Sequence, residues 1–244
     1  MKQLFLGIDI GTSSIKHALV SVDGTVLYQD FYSLSVYTNN QISEIDLGNI
    51  LDQVRAIIEL ASKQVKAKEL YIGFSLQRSA VCAWDVQSKK AISPLLLWND
   101  NRTKEFFDLL RQKDIELISK KTKLPALHYY AAGKIRHLSR KFTDPTFRIG
   151  TLDSFLLDSL IDEFYTEDTM ASRTLLYDIN VMQWDKSLCN LFSIDQTRLA
   201  PIEASIAQRK HKSVINIMAS LGDQQAGLLF ADKVCAMPIL NCGT

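Results

Sequence analysis

A chain of 244 residues of which 47% are apolar can bury the core of one large domain or of two small ones. Its 28 basic and 27 acidic residues leave a formal net charge of +1, so we expect neither a nucleic-acid partner nor an anionic membrane surface. No apolar stretch approaches the ~20 residues of a membrane span, and the opening MKQLFLGIDIG is too short for a signal peptide and is broken by Asp9. A cytoplasmic protein is therefore expected.

The first part of the chain reads as a strand meander. Apolar and β-branched residues predict strands over residues 4–9, 15–22 and 25–32, joined by a turn of small residues at 11–14 and by the Val22-Asp23-Gly24 turn. A polar loop follows through Asn39 and Asn40. A three-and-four spacing of apolar residues then predicts an amphipathic helix over 47–65, and a buried strand returns at 70–74.

The rest of the chain is predicted to be mainly helical. Candidate helices cover residues 103–111, 115–121, 131–142 and 153–163. A last helix is predicted over 223–230, because Gly222 suits a tight turn and Asp223 places a carboxylate at a helix N-terminus. The four cysteines lack metal-ligand spacing and predict reduced, mostly buried thiols: Cys82, Cys189, Cys235 and Cys242.

Two segments carry the features of phosphate-handling turns. GIDIGTSSIK at 7–16 joins two predicted strands by a turn that can aim backbone N–H groups at a phosphate. GDQQAG at 222–227 places Asp223 at the start of a helix, and the chain stops at a second glycine-threonine pair, Gly243 and Thr244. Taken singly, such turns are weak evidence: Asp9 alone is typical of a turn cap, Thr12 and Ser13 of an ordinary hairpin, and Asp223 of a helix N-cap.

Five further segments join these two in one order: QRS at 77–79, LWNDNRT at 97–103, LPALHYYAAGKIRHL at 124–138, GTLDSFLL at 150–157 and TMASRTLLYDINVMQWD at 169–185. Together the seven segments resemble the N-terminal half of the FGGY family of carbohydrate kinases. The resemblance implies an α/β, ribonuclease-H-like fold, shared with actin, Hsp70 and hexokinase. Residues 1–244 would then form the N-terminal domain of a two-domain kinase, with the C-terminal nucleotide-binding domain absent from this chain.

The resemblance also implies ATP and Mg²⁺ as cofactors. Asp9 would hold the metal, and Asp223 would be the catalytic base that takes the proton of the attacking hydroxyl. The implied nucleotide-binding set is Asp9, Gly11, Thr12, Ser13, Gly243 and Thr244.

A sugar or polyol is the implied substrate. Its contacts would be Gln77, Arg78, Trp98, Asp100, Tyr129, Asp223 and Gln224. Glycerol kinases of the family follow the arginine with glutamate, whereas this chain has Ser79, so glycerol-like, pentitol and ketopentose acceptors all stay open. Thr169, Ser172 and Arg173 are interpreted as structural support of the cleft.

Without a second domain we expect weak nucleotide binding and negligible kinase activity from these residues alone. Two alternatives stay open: a non-catalytic sugar-binding or degenerate kinase domain, and another ATPase of the actin fold. A homodimer is the default oligomeric state.

Overall fold

The computed structural model describes residues 3–64, 70–206 and 215–234. Its strands are β1 (Leu4–Ile10), β2 (Ser14–Ser21), β3 (Val26–Ser33), β4 (Val36–Asn39), β5 (Ile42–Ile45), β6 (Leu70–Leu76), β7 (Val81–Asp85), β8 (Leu95–Leu96), β9 (Phe147–Thr151), β10 (Thr166–Glu167), β11 (Tyr177–Asp178), β12 (Gln183–Trp184), β13 (Ile202–Glu203) and β14 (Ile215–Gly222). Its α-helices are α1 (Leu47–Gln64), α2 (Lys104–Asp108), α3 (Gln112–Thr122), α4 (Ala131–Lys141), α5 (Leu152–Ile161), α6 (Asp168–Ala171), α7 (Lys186–Leu191) and α8 (Asp223–Val234).

The first sheet has the strand order β14-β6-β1-β2-β3. The meander β1-β2-β3 is antiparallel, as the two short turns require, whereas β6 and β14 both run parallel to β1. Parallel neighbours such as β1 and β6 need a long crossover connection, and the segment that connects β3 to β6 contains α1 for this purpose. Because the three parallel strands end at the same edge, Ile10, Leu76 and Gly222 lie side by side in register.

A second sheet has the order β4-β5-β8-β7-β9. The predicted polar loop through Asn39 and Asn40 is confirmed only as the short turn of a hairpin: Asn39 ends β4, and Asn40 lies in the turn to β5, where it adopts a positive φ of 51° that asparagine tolerates. The mainly helical prediction for the second half also missed β9, which pairs with β7. Most of these strands are too short to show a period of two.

Two apolar cores meet at β7. Cys82 and Trp84 of this strand face the core formed by the first sheet, α1 and α5, whereas Val81 and Ala83 face a second core with α3, α4 and α7. Strand β7 is therefore buried on both faces, which explains its unbroken apolar run VCAW. The apolar stripe of α1 is buried as its spacing predicts: Leu47, Ile50, Leu51, Val54, Ile57, Ile58 and Ala61.

The predicted meander, the long helix and the returning strand are confirmed, with bounds that shift by one or a few residues. The helices predicted around residues 103–111, 115–121, 131–142, 153–163 and 223–230 correspond to α2, α3, α4, α5 and α8. In the parts of the chain that the structure describes, no helix has both the length and the apolar character needed to cross a membrane.

A buried carboxylate ties α5 to the second sheet. Asp158 is 1% exposed and accepts hydrogen bonds from Trp84 Nε1 at 2.7 Å and Lys89 Nζ at 2.8 Å, while Arg148 Nη1 lies 2.6 Å away. Burial alone would raise the pKa of this carboxyl, but Lys89, Arg148 and Trp84 outweigh it and hold the pKa below its ordinary value. The ionised form of Asp158 therefore stabilises the fold.

Asp158→Asn is expected to lower the free energy of unfolding at pH 7 by about 2–4 kcal/mol, because it leaves the cations beside it without their buried partner. Since its folded pKa is depressed, this contribution is present above the unfolded pKa and is lost as the pH falls below about 4. Urea unfolding at pH 7 and at acid pH measures both effects. Asp162→Asn is the matched control, because Asp162 contacts the same Lys89 Nζ with a side chain that is 84% exposed. Equal losses in the two variants would contradict the assignment.

Candidate active site

The carboxyl ends of β1 and β6 hold the first turn in place. Gln77 follows β6, and its backbone N–H donates to the carbonyl of Ile10 at 2.9 Å while its Nε2 donates to the carbonyl of Gly11 at 3.0 Å. The hydroxyl of Thr12 donates to Gln77 Oε1 at 3.4 Å and accepts from Trp98 Nε1 at 3.2 Å. The glycine-threonine turn is thus fixed by side chains from two other segments.

Asp223 lies at the end of β14, next to the same edge. Its Oδ1 accepts from Arg78 Nε at 3.1 Å and from the backbone N–H of Gln224 at 2.7 Å. Burial of the Arg78 guanidinium, together with the nearby charge of Arg173, lowers the arginine pKa, and Asp223 acts in the opposite direction. The pair sits at the N-terminus of α8, where the helix dipole also favours a carboxylate.

Gly222 makes this pairing possible. A Cβ atom at this position would lie 2.5 Å from Cδ and 2.8 Å from Cγ of Arg78, which is closer than side chains pack. The arginine stem therefore crosses directly over the glycine backbone. This close contact explains why a glycine precedes Asp223 in the GDQQAG segment.

These groups enclose a cavity of about 300 Å³. Its lining combines the turn, the end of β6, an aromatic pair and the start of α8: Gly11, Thr12, Gln77, Arg78, Ser79, Trp98, Tyr129, Arg173, Asp223 and Gln224. We call it the acceptor cavity. The Trp98 ring is 45% exposed, so it offers an apolar wall beside polar groups, as small-molecule sites commonly do.

One wall of the acceptor cavity is built on two adjacent tyrosines. The rings of Tyr129 and Tyr130 lie 4.3 Å apart, and the hydroxyl of Tyr129 donates to that of Tyr130 at 3.1 Å. The guanidinium of Arg173 lies 4.8 Å from the centre of the Tyr130 ring, within cation–π range. Burial raises the pKa of Tyr130 to about 12, so this hydroxyl is neutral at ordinary pH.

Lys134 holds the same wall from behind. Its side chain is fully buried, and its Nζ donates to the carbonyls of Tyr129 at 2.8 Å and Tyr130 at 3.2 Å. Desolvation lowers the pKa of Lys134 to about 7, although Asp100 acts in the opposite direction. Both the charged and the neutral amine have enough protons to serve the two carbonyls.

Asp100 is not brought to the acceptor cavity. It is fully buried, and its Oδ2 accepts from the backbone N–H of Ser43 at 2.8 Å and from Arg102 at 2.7 Å. Arg102 in turn contacts Glu44 at 2.7 Å. These contacts fasten the loop that carries Trp98 to strand β5.

Asp9 faces a second, more open cavity of about 670 Å³ on the exposed face of the first sheet, where Lys16 also lies. Its Oδ1 accepts from the hydroxyl of Ser75 at 2.6 Å. Within the described residues no group of three or more His, Cys, Asp or Glu side chains could hold a metal. A single carboxylate still fits Mg²⁺, which keeps most of its waters and takes one or two carboxylates together with phosphate oxygens.

A buried network fixes the end of β14. The hydroxyl of Thr169 accepts from the backbone N–H of Gly222 at 2.7 Å and donates to Glu167 Oε1 at 2.5 Å. Glu167 is fully buried and also accepts from the hydroxyl of Ser205 at 2.5 Å. The residue that precedes Asp223 is therefore tied to α6, which agrees with the structural role expected of Thr169.

Of the predicted substrate and catalytic residues, the structure brings Gln77, Arg78, Trp98, Tyr129, Asp223 and Gln224 to one cavity, together with Gly11 and Thr12 of the turn. Ser13 is exposed beside it, and Gly243 and Thr244 lie outside the described residues. Sequence reasoning interpreted Arg173 as structural support of the cleft, and the structure shows that its side chain also lines the cavity. The only sequence signal was its place in the TMASRT segment.

Comparison with known proteins identifies the relatives of this chain. Residues 4–229 match the profile described as "FGGY family of carbohydrate kinases, N-terminal domain". Glycerol kinase of Janthinobacterium sp. (strain Marseille) is 30% identical over 245 residues, covering 93% of this chain and 49% of that protein. Glycerol kinase of Saccharolobus islandicus (strain M.14.25 / Kamchatka #1) is 28% identical over 91% of this chain and 48% of its own length.

Solved structures give the same fold. Plasmodium falciparum glycerol kinase with ADP superposes with a TM-score of 0.83 at 27% identity, covering 93% of this chain and 50% of that one. Ligand-bound xylulose kinase from Lactobacillus acidophilus also gives a TM-score of 0.83, at 18% identity, over 94% of this chain and 50% of that chain. The chain spans about half the length of the curated relatives that it matches.

Gly222→Ala is expected to displace the Arg78 stem and to separate its guanidinium from Asp223, lowering the free energy of unfolding by about 1–3 kcal/mol. Urea unfolding measures the loss, and a crystal structure of the variant shows the displacement. Gly227→Ala in the same helix is the matched control, because its Cβ meets no atom within 4 Å, and alanine there favours the helix. Unchanged stability in Gly222→Ala would refute the close contact.

Lys134→Met tests the buried amine. Between the folded pKa of about 7 and the ordinary value of 10.5, the unfolded chain binds more protons at this residue than the folded chain does. Lys134 therefore makes stability rise with pH across this window. The free energy of unfolding of the wild type, minus that of the variant, should increase by about 2 kcal/mol from pH 7 to pH 9. Urea unfolding at the two pH values measures it, with the exposed Lys141→Met as control. Parallel pH profiles would contradict a lowered pKa.

Proposed function

The chain belongs to the FGGY family of carbohydrate kinases, and on that premise we propose that it supplies the acceptor-binding half of an ATP-dependent sugar or polyol kinase. The observation that carries the proposal is the acceptor cavity, where Asp223 faces the glycine-threonine turn beside Arg78, Trp98 and Tyr129. In this proposal residues 1–244 are the N-terminal domain. The family and this cavity together support the activity that we propose for the whole protein.

Asp223 is proposed as the general base. Both of its contacts use Oδ1, namely Arg78 Nε and the N–H of Gln224, so Oδ2 is the oxygen that would accept the hydroxyl proton. A guanidinium beside the carboxylate orients it toward the cavity. A base within hydrogen-bond reach of the reacting hydroxyl contributes ~10²–10⁴-fold to the rate.

The acceptor would lie against the exposed ring of Trp98, with polar contacts to Arg78, Tyr129 and Gln224. Gln77 acts mainly through the turn that it holds. Asp100 acts through the loop that it fastens and not by contact with the acceptor. Alternating apolar and polar walls suit a carbon chain that bears several hydroxyls.

The turn at Gly11, Thr12 and Ser13 is proposed to receive the phosphates of ATP, with Asp9 as the protein ligand of Mg²⁺. Bound there, Mg²⁺ would neutralise charge on the transferring phosphoryl group. Gly243 and Thr244 are proposed as a second nucleotide contact. We further propose a cytoplasmic location, which the free, buried thiols of Cys82 and Cys189 support, and a homodimer as the default assembly.

Asp223→Asn is the test of the proposed function. In the protein expressed from the complete gene, this change is expected to lower kcat by ~10²–10⁴-fold while acceptor binding is largely kept, because the amide retains an oxygen for Arg78. ADP release is measured against a panel of polyols, ketopentoses and sugar acids. Asp232→Asn on the exposed face of the same helix is the matched control.

Near-normal turnover in Asp223→Asn would refute the base assignment. Acceptor binding without ADP release in the wild type, under any acceptor of the panel, would instead favour the non-catalytic binding domain. Both outcomes are read in one assay series, with binding followed separately by calorimetry.

A further inference from the structure

Strand β14, which leads into Asp223, is the edge strand of the first sheet. It pairs with β6 on one side, and two backbone N–H groups on its other side find acceptors outside the sheet. The N–H of Ser220 donates to the carbonyl of Ser205 at 3.0 Å, and the N–H of Gly222 donates to Thr169 Oγ1 at 2.7 Å. The end of β14 is therefore held from both of its edges.

One carboxylate, that of Glu167, organises both of these acceptors. Its Oε1 accepts from the hydroxyl of Thr169 at 2.5 Å, and its Oε2 accepts from the hydroxyl of Ser205 at 2.5 Å. The backbone N–H groups of Thr169 and Met170 also donate to it, at 2.8 Å and 2.7 Å. The side chain of Glu167 is fully buried, and its four contacts are all donors, which suits a carboxylate with two accepting oxygens.

The carboxylate also fixes the direction of the Thr169 hydroxyl. Because the proton of this hydroxyl is donated to Glu167, its lone pairs are free to accept from the N–H of Gly222. A hydrogen bond to a carboxylate is short and strong, and successive hydrogen bonds polarise one another. Glu167 therefore strengthens the contact that holds Gly222, although the two residues do not touch through this chain of hydrogen bonds.

The position of Gly222 determines how Asp223 faces the acceptor cavity. The stem of Arg78 crosses over Gly222, and its Nε binds Asp223 Oδ1 at 3.1 Å. A shift of the glycine backbone would thus move both the arginine and the carboxylate. A general base works only within about 2.6–3.2 Å of the hydroxyl that it deprotonates, and a misplacement of about 1 Å can cost ~10²-fold in rate.

We propose that Glu167 is a positioning residue of the kinase reaction. It does not line the acceptor cavity, and it acts through Thr169 and Ser205 on the strand that carries Asp223. The inference rests on the proposed function and adds to it a residue that contacts neither the acceptor nor the nucleotide turn. Its distinctive consequence is a loss of turnover without a loss of acceptor binding.

The test uses the protein expressed from the complete gene, with kcat and KM measured by ADP release. Thr169→Val removes the acceptor of the Gly222 N–H at nearly constant side-chain volume, and it is expected to lower kcat by ~10- to 100-fold with little change in the KM for the acceptor. Thr169→Ser keeps the hydroxyl and is expected to retain most of the turnover.

Glu167→Gln is expected to act in the same direction as Thr169→Val. Each oxygen of Glu167 accepts from a backbone N–H, of Thr169 or of Met170, so the amide nitrogen of glutamine would meet a donor in either orientation. Where this variant does not fold, the two Thr169 variants still decide the question.

Thr174→Val is the matched control. Thr174 is buried in the same segment and also makes two hydrogen bonds, donating to the carbonyl of Ala171 at 2.7 Å and accepting from the N–H of Leu176 at 3.1 Å. This variant is expected to lose a similar free energy of unfolding in urea but to keep its kcat. Hydrogen exchange of the Gly222 amide, measured by NMR on the 244-residue chain, should become roughly 10-fold faster in Thr169→Val and stay unchanged in Thr174→Val.

Normal kcat in both Thr169→Val and Glu167→Gln would overturn the inference. An equal loss of kcat in Thr174→Val would overturn it as well, because the effect would then follow from lost stability, and so would a raised KM at constant kcat. The proposed function is tested apart from these variants. Normal turnover in Asp223→Asn would be the failure of the base assignment, whereas lost turnover there with normal turnover in Thr169→Val would be the failure of this inference alone.

Discussion

Parallel pairing of β1, β6 and β14 is the constraint on which the site depends. The register aligns Ile10, Leu76 and Gly222, so the residues that follow each strand leave the same edge of the sheet within about 10 Å. The glycine turn, the Gln77-Arg78 pair and Asp223 come from distant parts of the sequence, and this register alone brings them together. A slip of one residue in either pairing would turn the strand-end side chains to the opposite face and separate Arg78 from Asp223.

The polar groups beneath the site act on its walls and not on a ligand. Lys134 binds the carbonyls of the two tyrosines, Asp100 fastens the loop of Trp98, and Thr169 binds the N–H of Gly222. Each is a buried or half-buried polar group with its partners in place, which is the condition under which such groups rigidify a structure. The acceptor cavity is thus lined by side chains whose backbones are held from behind by a second set of side chains.

Sequence reasoning predicted the parts of this arrangement that local patterns encode. The meander, α1 with its buried stripe and the start of α8 at Asp223 follow from periodicity and from turn residues. The second sheet was missed because β8 has two residues and β7 is apolar on both faces, so neither shows alternation. For Asp100 and Arg173, the sequence did not predict which of the two lines the cavity. Both belong to motif segments, but the direction of each side chain depends on packing against β5 and α4. Local sequence patterns do not encode that packing.

The turn at Gly11 and Thr12 separates two cavities of different character. On one side lies the acceptor cavity, with two guanidiniums and one carboxylate; on the other lies the open sheet face with Asp9 and Lys16. In the proposed reaction the phosphoryl group is transferred across this turn, so positive charge is needed on both sides of the turn. The attacking hydroxyl needs a base on the acceptor side only. Asp223 lies on the acceptor side, and Asp9, the proposed metal ligand, lies on the other. Because Gln77 binds the turn through its backbone and its side chain, the spacing between the two carboxylates is set by the sheet and not by the bound ligands.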